Sequence, residues 1–120
     1  MHELSIAQNI LEIVQQSLPP EPAPPVKCVR LKIGEMAGVV TDSLEFCFSV
    51  LISDTTMGGA KLEIESVPVM ANCKTCGNDF RVEDYVFACP SCSSSDLEVL
   101  SGRELQVVEV ELADEKVEVA

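Results

Sequence analysis

Four cysteines in two pairs constrain this chain more than any other feature. Cys73-Lys74-Thr75-Cys76-Gly77 and Cys89-Pro90-Ser91-Cys92 are C-x2-C knuckles with twelve residues between them. Two thiolates separated by two residues can turn onto one ion, and a second pair completes a tetrahedral S4 site. Gly77 and Pro90 suit tight knuckle turns. An even cysteine count suggests disulfides in a secreted protein, but the N-terminus carries no positively charged leader. Glu3 and Gln8-Asn9 also interrupt any signal-like run. Metal ligation is therefore the expected role of the four. Softness selects zinc or iron, and spacing alone does not separate them. The few aromatic residues around the cysteines and the lack of any sign of a redox partner favour zinc. A closed four-thiolate site leaves no open coordination position, so its expected role is structural and it cannot activate water.

The rest of the chain has the periodicities of an ordinary folded domain. It has 120 residues, 47% of them hydrophobic, enough to bury a core. Leu4, Ala7, Leu11, Val14 and Leu18 recur at helical spacing and predict a helix over residues 3–18, stopped by Pro19-Pro20. Period two then predicts a strand from Val26 to Ile33, ending at Gly34. Asp42 with Glu45 three residues on reads as a helix start before the apolar run Leu44 to Ile52. Leu62, Ile64 and Val67 predict a second strand, and Pro68 marks its end. Leu105, Val107, Val110 and Leu112 predict a long third strand with a phase shift at Val107-Val108. Residues 72–100 are poor in aliphatic side chains. They read as a zinc-binding insertion, without a core of its own, between residues 1–71 and 101–120 of the main domain.

Charge narrows the function. Twenty acidic against eight basic residues give a net charge of −12, which counts against nucleic-acid binding. No run of about 18 apolar residues is present, so no membrane span is expected and the default is a cytoplasmic protein. There is no phosphate-binding glycine loop, so nucleotide chemistry must belong to a partner. Cys28 and Cys47 stand apart from the pairs and are expected to pack as small core residues. Lys74 and Arg81 near the knuckles are expected to be solvated. The single histidine, His2, follows Met1. The Met1 amine and the His2 imidazole are separated by one peptide unit, and the first amides of a helix lack intrahelical partners. Four such nitrogens favour a planar site suited to Ni(II) or Cu(II), to which Glu3 can add an oxygen.

These residues together resemble the HypA/HybF family of hydrogenase maturation nickel chaperones. The resemblance rests on Met1-His2-Glu3-Leu4-Ser5, Val29-Arg30-Leu31-Lys32-Ile33-Gly34-Glu35 and Leu44-Glu45-Phe46-Cys47-Phe48, then Ala60-Lys61-Leu62-Glu63-Ile64 and the double C-x2-C. It implies an α+β nickel-binding domain, two helices packed on a three-stranded sheet, with an inserted zinc-ribbon-like domain. It implies weak Ni(II) binding at Met1, His2 and Glu3, and structural Zn(II) on Cys73, Cys76, Cys89 and Cys92. The implied partners are a HypB-type GTPase, the [NiFe]-hydrogenase large-subunit precursor and, in some organisms, urease maturation proteins. The carrier would be a monomer or homodimer without a reaction of its own. Some relatives carry histidines beside the zinc cysteines; this chain has no second histidine. The alternative reading is a zinc-ribbon module that docks another protein through its acidic surface.

Overall fold

In the computed structural model, which describes residues 3–20 and 24–119, helices and strands follow the periodicities closely. In chain order they are α1 (Glu3–Ser17), β1 (Val26–Gly34), α2 (Thr41–Ile52), β2 (Lys61–Val67), β3 (Met70–Cys73), β4 (Asp79–Arg81), β5 (Leu97–Ser101), β6 (Leu105–Leu112) and β7 (Lys116–Glu118). They form a four-stranded sheet of order β2-β1-β6-β7 and a three-stranded sheet of order β4-β3-β5. The molecule is α+β. It divides into one unit of residues 1–32, 38–65 and 106–120, and another of 33–37 and 66–105.

In the first unit, Ile6, Ala7, Ile10 and Val14 make the buried stripe of α1, and Leu44, Phe48 and Ile52 that of α2. Both stripes step by four residues, which keeps side chains on one helical face. The two helices pack against each other. On β1, Val29 and Leu31 are buried while Arg30 and Lys32 between them are half-exposed. On β6, Val107 is buried and so are Val110 and Leu112, which displaces strict alternation near Val108. Beyond the three strands expected, Lys116–Glu118 turns back and pairs with β6, with Val117 opposite Val110.

Arg30 organises the sheet face opposite Val29 and Leu31. Its guanidinium donates to Glu63 on β2 at 2.9 Å, to Glu109, and to Glu111 on β6 at 2.7 Å. Lys27 adds an ion pair to Glu111 at 3.7 Å. These hydrogen bonds hold the Glu111 carboxyl below its usual range. Cys28 is buried among these groups; desolvation and the nearby Glu63 carboxylate push its thiol up. Cys47 departs from expectation. It is only half-buried, because it sits one position off the Leu44–Phe48 stripe.

The start of α2 also departs from expectation. The helix begins at Thr41 with Val40 in the cap position and no side-chain cap; Asp42 lies inside the first turn. The Val40 N–H instead donates to Glu3 Oε2 at 3.2 Å. A carboxylate 37 positions away thus takes the cap residue's own N–H, the donor that the third helical residue serves in a capping box.

The second unit corrects the expectation that the cysteine region lacks a core. Val69, Ala71, Cys73, Phe80, Val82 and Cys89 are buried together, with Met36, Leu97 and Val99 packed against them. Much of this core comes from outside residues 72–100 or from single aliphatics inside it, too scattered to give a periodic signal. β3 is the central strand, Ala71 lying opposite Phe80 on β4 and Val99 on β5. Residues 33–37 are tied in by Gly34 N–H to Glu104 O at 2.7 Å and Met36 N–H to Gly102 O at 2.7 Å. A Cβ on Gly34 would collide with the backbone of Gly102, so only glycine allows this approach.

Candidate metal centre

Each knuckle is a short turn with the same hydrogen bonds. Cys73 N–H donates to Asn78 O and Gly77 N–H to Cys73 O, at 2.8 and 2.7 Å. In the second knuckle Cys89 N–H donates to Ser94 O and Ser93 N–H to Cys89 O, both at 2.8 Å. The position that closes each turn is left-handed: φ is +79° at Gly77 and +64° at Ser93. Serine therefore stands in the second knuckle where glycine relieves the strain in the first. Thr75 and Ser94 hydroxyls meet across the knuckles at 2.8 Å, and Asn78 Nδ2 donates to Ser91 Oγ at 3.4 Å. These cross-links carried no sequence signal.

The turns bring Cys73, Cys76, Cys89 and Cys92 together, with all four sulfurs within 4.8 Å of one another. Cys73 Sγ lies 3.6 Å from Cys92 Sγ and Cys76 Sγ 3.6 Å from Cys89 Sγ. A disulfide needs about 2.05 Å, so none of these pairs is oxidised. A regular tetrahedron with metal–sulfur bonds of about 2.3 Å has edges of about 3.8 Å. The donor set and its spacing fit one tetrahedral ion, and the chemistry is that of zinc or iron.

The first cysteine of each pair is buried and the second exposed. Their thiols divide the same way. The backbone N–H groups of Cys76 and Thr75 pull the Cys73 thiol down against desolvation. Desolvation acts to raise Cys89, but the N–H groups of Cys92 and Ser91 outweigh it and hold the thiol at about 6. Cys92 is favoured as a thiolate by the Ser94 N–H, yet the Cys73 sulfur and desolvation prevail and push it up to about 12. Cys76 is raised: the Asn78 N–H acts to lower it, and the Cys89 sulfur and desolvation win. Arg81 does not serve the thiolates; it pairs with Glu35 at 2.8 Å. Lys74 is exposed, as expected.

Met1 and His2, the expected nickel ligands, lie outside the described residues. Glu3 opens α1, half-buried, with its Oε2 on the Val40 amide.

An α+β unit joined to a unit held around four convergent thiols defines a two-part metal-binding protein. Comparison with known proteins narrows this class. A family model described as "Hydrogenase/urease nickel incorporation, metallochaperone, hypA" matches residues 1–112. A hydrogenase maturation factor HypA of Desulfatibacillum aliphaticivorans is 43% identical over 115 residues, 95% of this chain and 88% of that protein. The HypA of Geobacter metallireducens is 43% identical over 112 residues, covering 93% and 99% of the two chains. The solution structure of the Ni metallochaperone HypA from Helicobacter pylori shares the fold, with a TM-score of 0.64 at 21% identity over 96% of this chain and 100% of that one. The chain belongs to the HypA family of nickel metallochaperones.

Proposed function

We propose that this chain carries nickel: it takes Ni(II) at Met1, His2 and Glu3 and delivers it to the [NiFe]-hydrogenase large-subunit precursor during maturation. Membership of a nickel-incorporation family carries the reading. Structural Zn(II) on Cys73, Cys76, Cys89 and Cys92 would cross-link the second unit, whose modest core gains most from a staple. The protein is not itself an enzyme in this reading, because a saturated S4 site offers no position for substrate.

The nickel site is a terminal chelate: the Met1 amine, the His2 imidazole, the amides between them and a Glu3 oxygen. Loading displaces protons, so affinity falls as pH drops below the amine and imidazole values, about 8 and about 6.5 unperturbed. A site of few residues at a chain end suits a carrier, which must release its cargo. Nickel would occupy the unit of α1, α2 and the four-stranded sheet, within residues 1–71 and 101–120, and zinc the insertion of 72–100. A HypB-type GTPase would supply the nucleotide chemistry, urease maturation proteins are further recipients, and the setting is cytoplasmic. Among the described residues no helix is long and apolar enough to cross a membrane.

The test is nickel calorimetry on zinc-loaded protein with its native N-terminus, beside a copy with one extra N-terminal residue and a His2→Ala variant. Loss of binding in both altered forms, with zinc and fold retained, supports the terminal chelate. Equal binding in all three moves the site elsewhere. No binding in any form leaves the zinc-ribbon docking module.

A further inference from the structure

One surface of the second unit lies outside the four-cysteine cluster and is built at a local cost. Glu83-Asp84-Tyr85-Val86 is a tight turn closed by Val86 N–H to Glu83 O at 3.0 Å, with φ of +53° at Asp84 and +58° at Tyr85. Two consecutive left-handed residues make this a type I′ turn, whose second central position strongly favours glycine. Tyrosine there is strained, and a bulky residue held in that region is an outlier associated with function. Packing does not account for it, because Tyr85 is 69% exposed. Among the described residues its hydroxyl makes one hydrogen bond, a 3.3 Å contact to Glu35 O. Val86 follows at 60% exposure, so the turn presents two apolar side chains to solvent.

Beside the turn lies an open cleft of about 450 Å³ lined in part by Glu35, Arg81, Val82, Glu83, Asp84 and Tyr85. Its charge is lopsided. Among the described residues that line it, Arg81 is the one cation and is already paired with Glu35 at 2.8 Å, which leaves Glu83 and Asp84 as the unmatched charges beside the ring. An aromatic face flanked by carboxylates is the complement of a guanidinium or ammonium carried on an apolar stem.

We propose that the Glu83–Val86 turn, with its adjoining acidic cleft, docks an arginine-bearing segment of a partner protein, the cation meeting Glu83 and Asp84 and the stem lying on Tyr85. The turn is set before binding by its own hydrogen bonds, so little ordering remains for association to supply. The inference is independent of nickel binding at the N-terminus.

The chain has one tyrosine and no tryptophan, so Tyr85 is its own reporter. Zinc-loaded protein is titrated with a blocked peptide, Gly-Ser-Arg-Leu-Arg-Ser-Gly, and with its copy carrying Gln for both Arg. Tyrosine emission and the backbone amide shifts are followed. Saturable binding is expected for the arginine peptide alone, with shifts confined to Glu35 and residues 81–87, weakening as salt rises. The pair Glu83→Gln and Asp84→Asn should weaken it at least tenfold, since Asn keeps the left-handed turn while removing charge. Tyr85→Gly, followed by amide shifts, should abolish binding without lowering the melting temperature. Equal affinity for the Gln peptide, shifts elsewhere, or unchanged binding by Tyr85→Gly overturns the proposal. So does a lower melting temperature for Tyr85→Gly, which would make the ring structural. Self-association of the native chain that Tyr85→Gly dissolves would name a second copy as the occupant and also overturn it.

Discussion

Gly77 and Ser93 hold the same place in two nearly identical turns, and the difference between them is measurable. Left-handed backbone costs a residue with a Cβ about 1–2 kcal/mol, part of which glycine forfeits as chain entropy. Ser93→Gly should therefore stabilise the zinc-loaded protein by up to about 1 kcal/mol, and Gly77→Ala should cost about 1–2 kcal/mol, both read by thermal melting. The thiols make a second residue-scale prediction. Cys89, at about 6, is ionised at neutral pH, while Cys92, at about 12, and the raised Cys76 keep their protons. Zinc binding at pH 7 should thus release protons from Cys76 and Cys92, measurable by calorimetry in buffers of different ionisation enthalpy. Zinc affinity should fall as pH falls. Glu111 gives a third. Its hydrogen bond from Arg30 holds the carboxyl below its usual range, so its stabilisation is complete above the unfolded value of about 4.3 and is lost as pH drops through the lowered one. Glu111→Gln should melt lower than the parent at pH 7, and the gap should close in acid. Comparing the two at each pH removes the shared effect of thiolate protonation.

At the scale of elements, α2 starts without a side-chain cap because Val40 has no acceptor to offer. Val40→Ser should supply one and stabilise the helix by about 1 kcal/mol, seen as a higher melting temperature. An unchanged melting temperature would refute it. The sequence pattern of Asp42 and Glu45 pointed two residues too far along, because the cap position falls on Val40. Both helices and the strands β1, β2 and β6 were legible to within a few residues, because each carries several repeats of its own period. β3, β4 and β7 were not. At four, three and three residues they are too short for alternation to register.

For the whole molecule, two units with separate interiors should respond separately to loss of metal. Chelation of zinc-loaded protein is expected to open the amides of residues 66–105 to hydrogen exchange while those of α1 and α2 keep their protection. Uniform protection throughout would mean that Val69, Ala71, Phe80 and Val82 suffice to hold the second unit without its ion. The convergence of the four thiols was legible, because each pair of sulfurs separated by two residues turns together locally and two such pairs complete one donor set.

The helices, the longer strands and each C-x2-C pair were legible from spacings of two to four residues, and the segments from Met1 to Cys92 carried the family resemblance. That Arg30 gathers Glu63, Glu109 and Glu111 from two neighbouring strands, across separations of 33, 79 and 81 residues, is a product of packing. Packing also brings Glu3 to the start of α2, sets Cys73 Sγ 3.6 Å from Cys92 Sγ across the knuckles, and leaves Tyr85 exposed on a strained turn above an acidic cleft. The reason is physical. Periodicity records which face of an element is buried, whereas the partner of a given side chain is set by how distant elements pack, and no local spacing contains that.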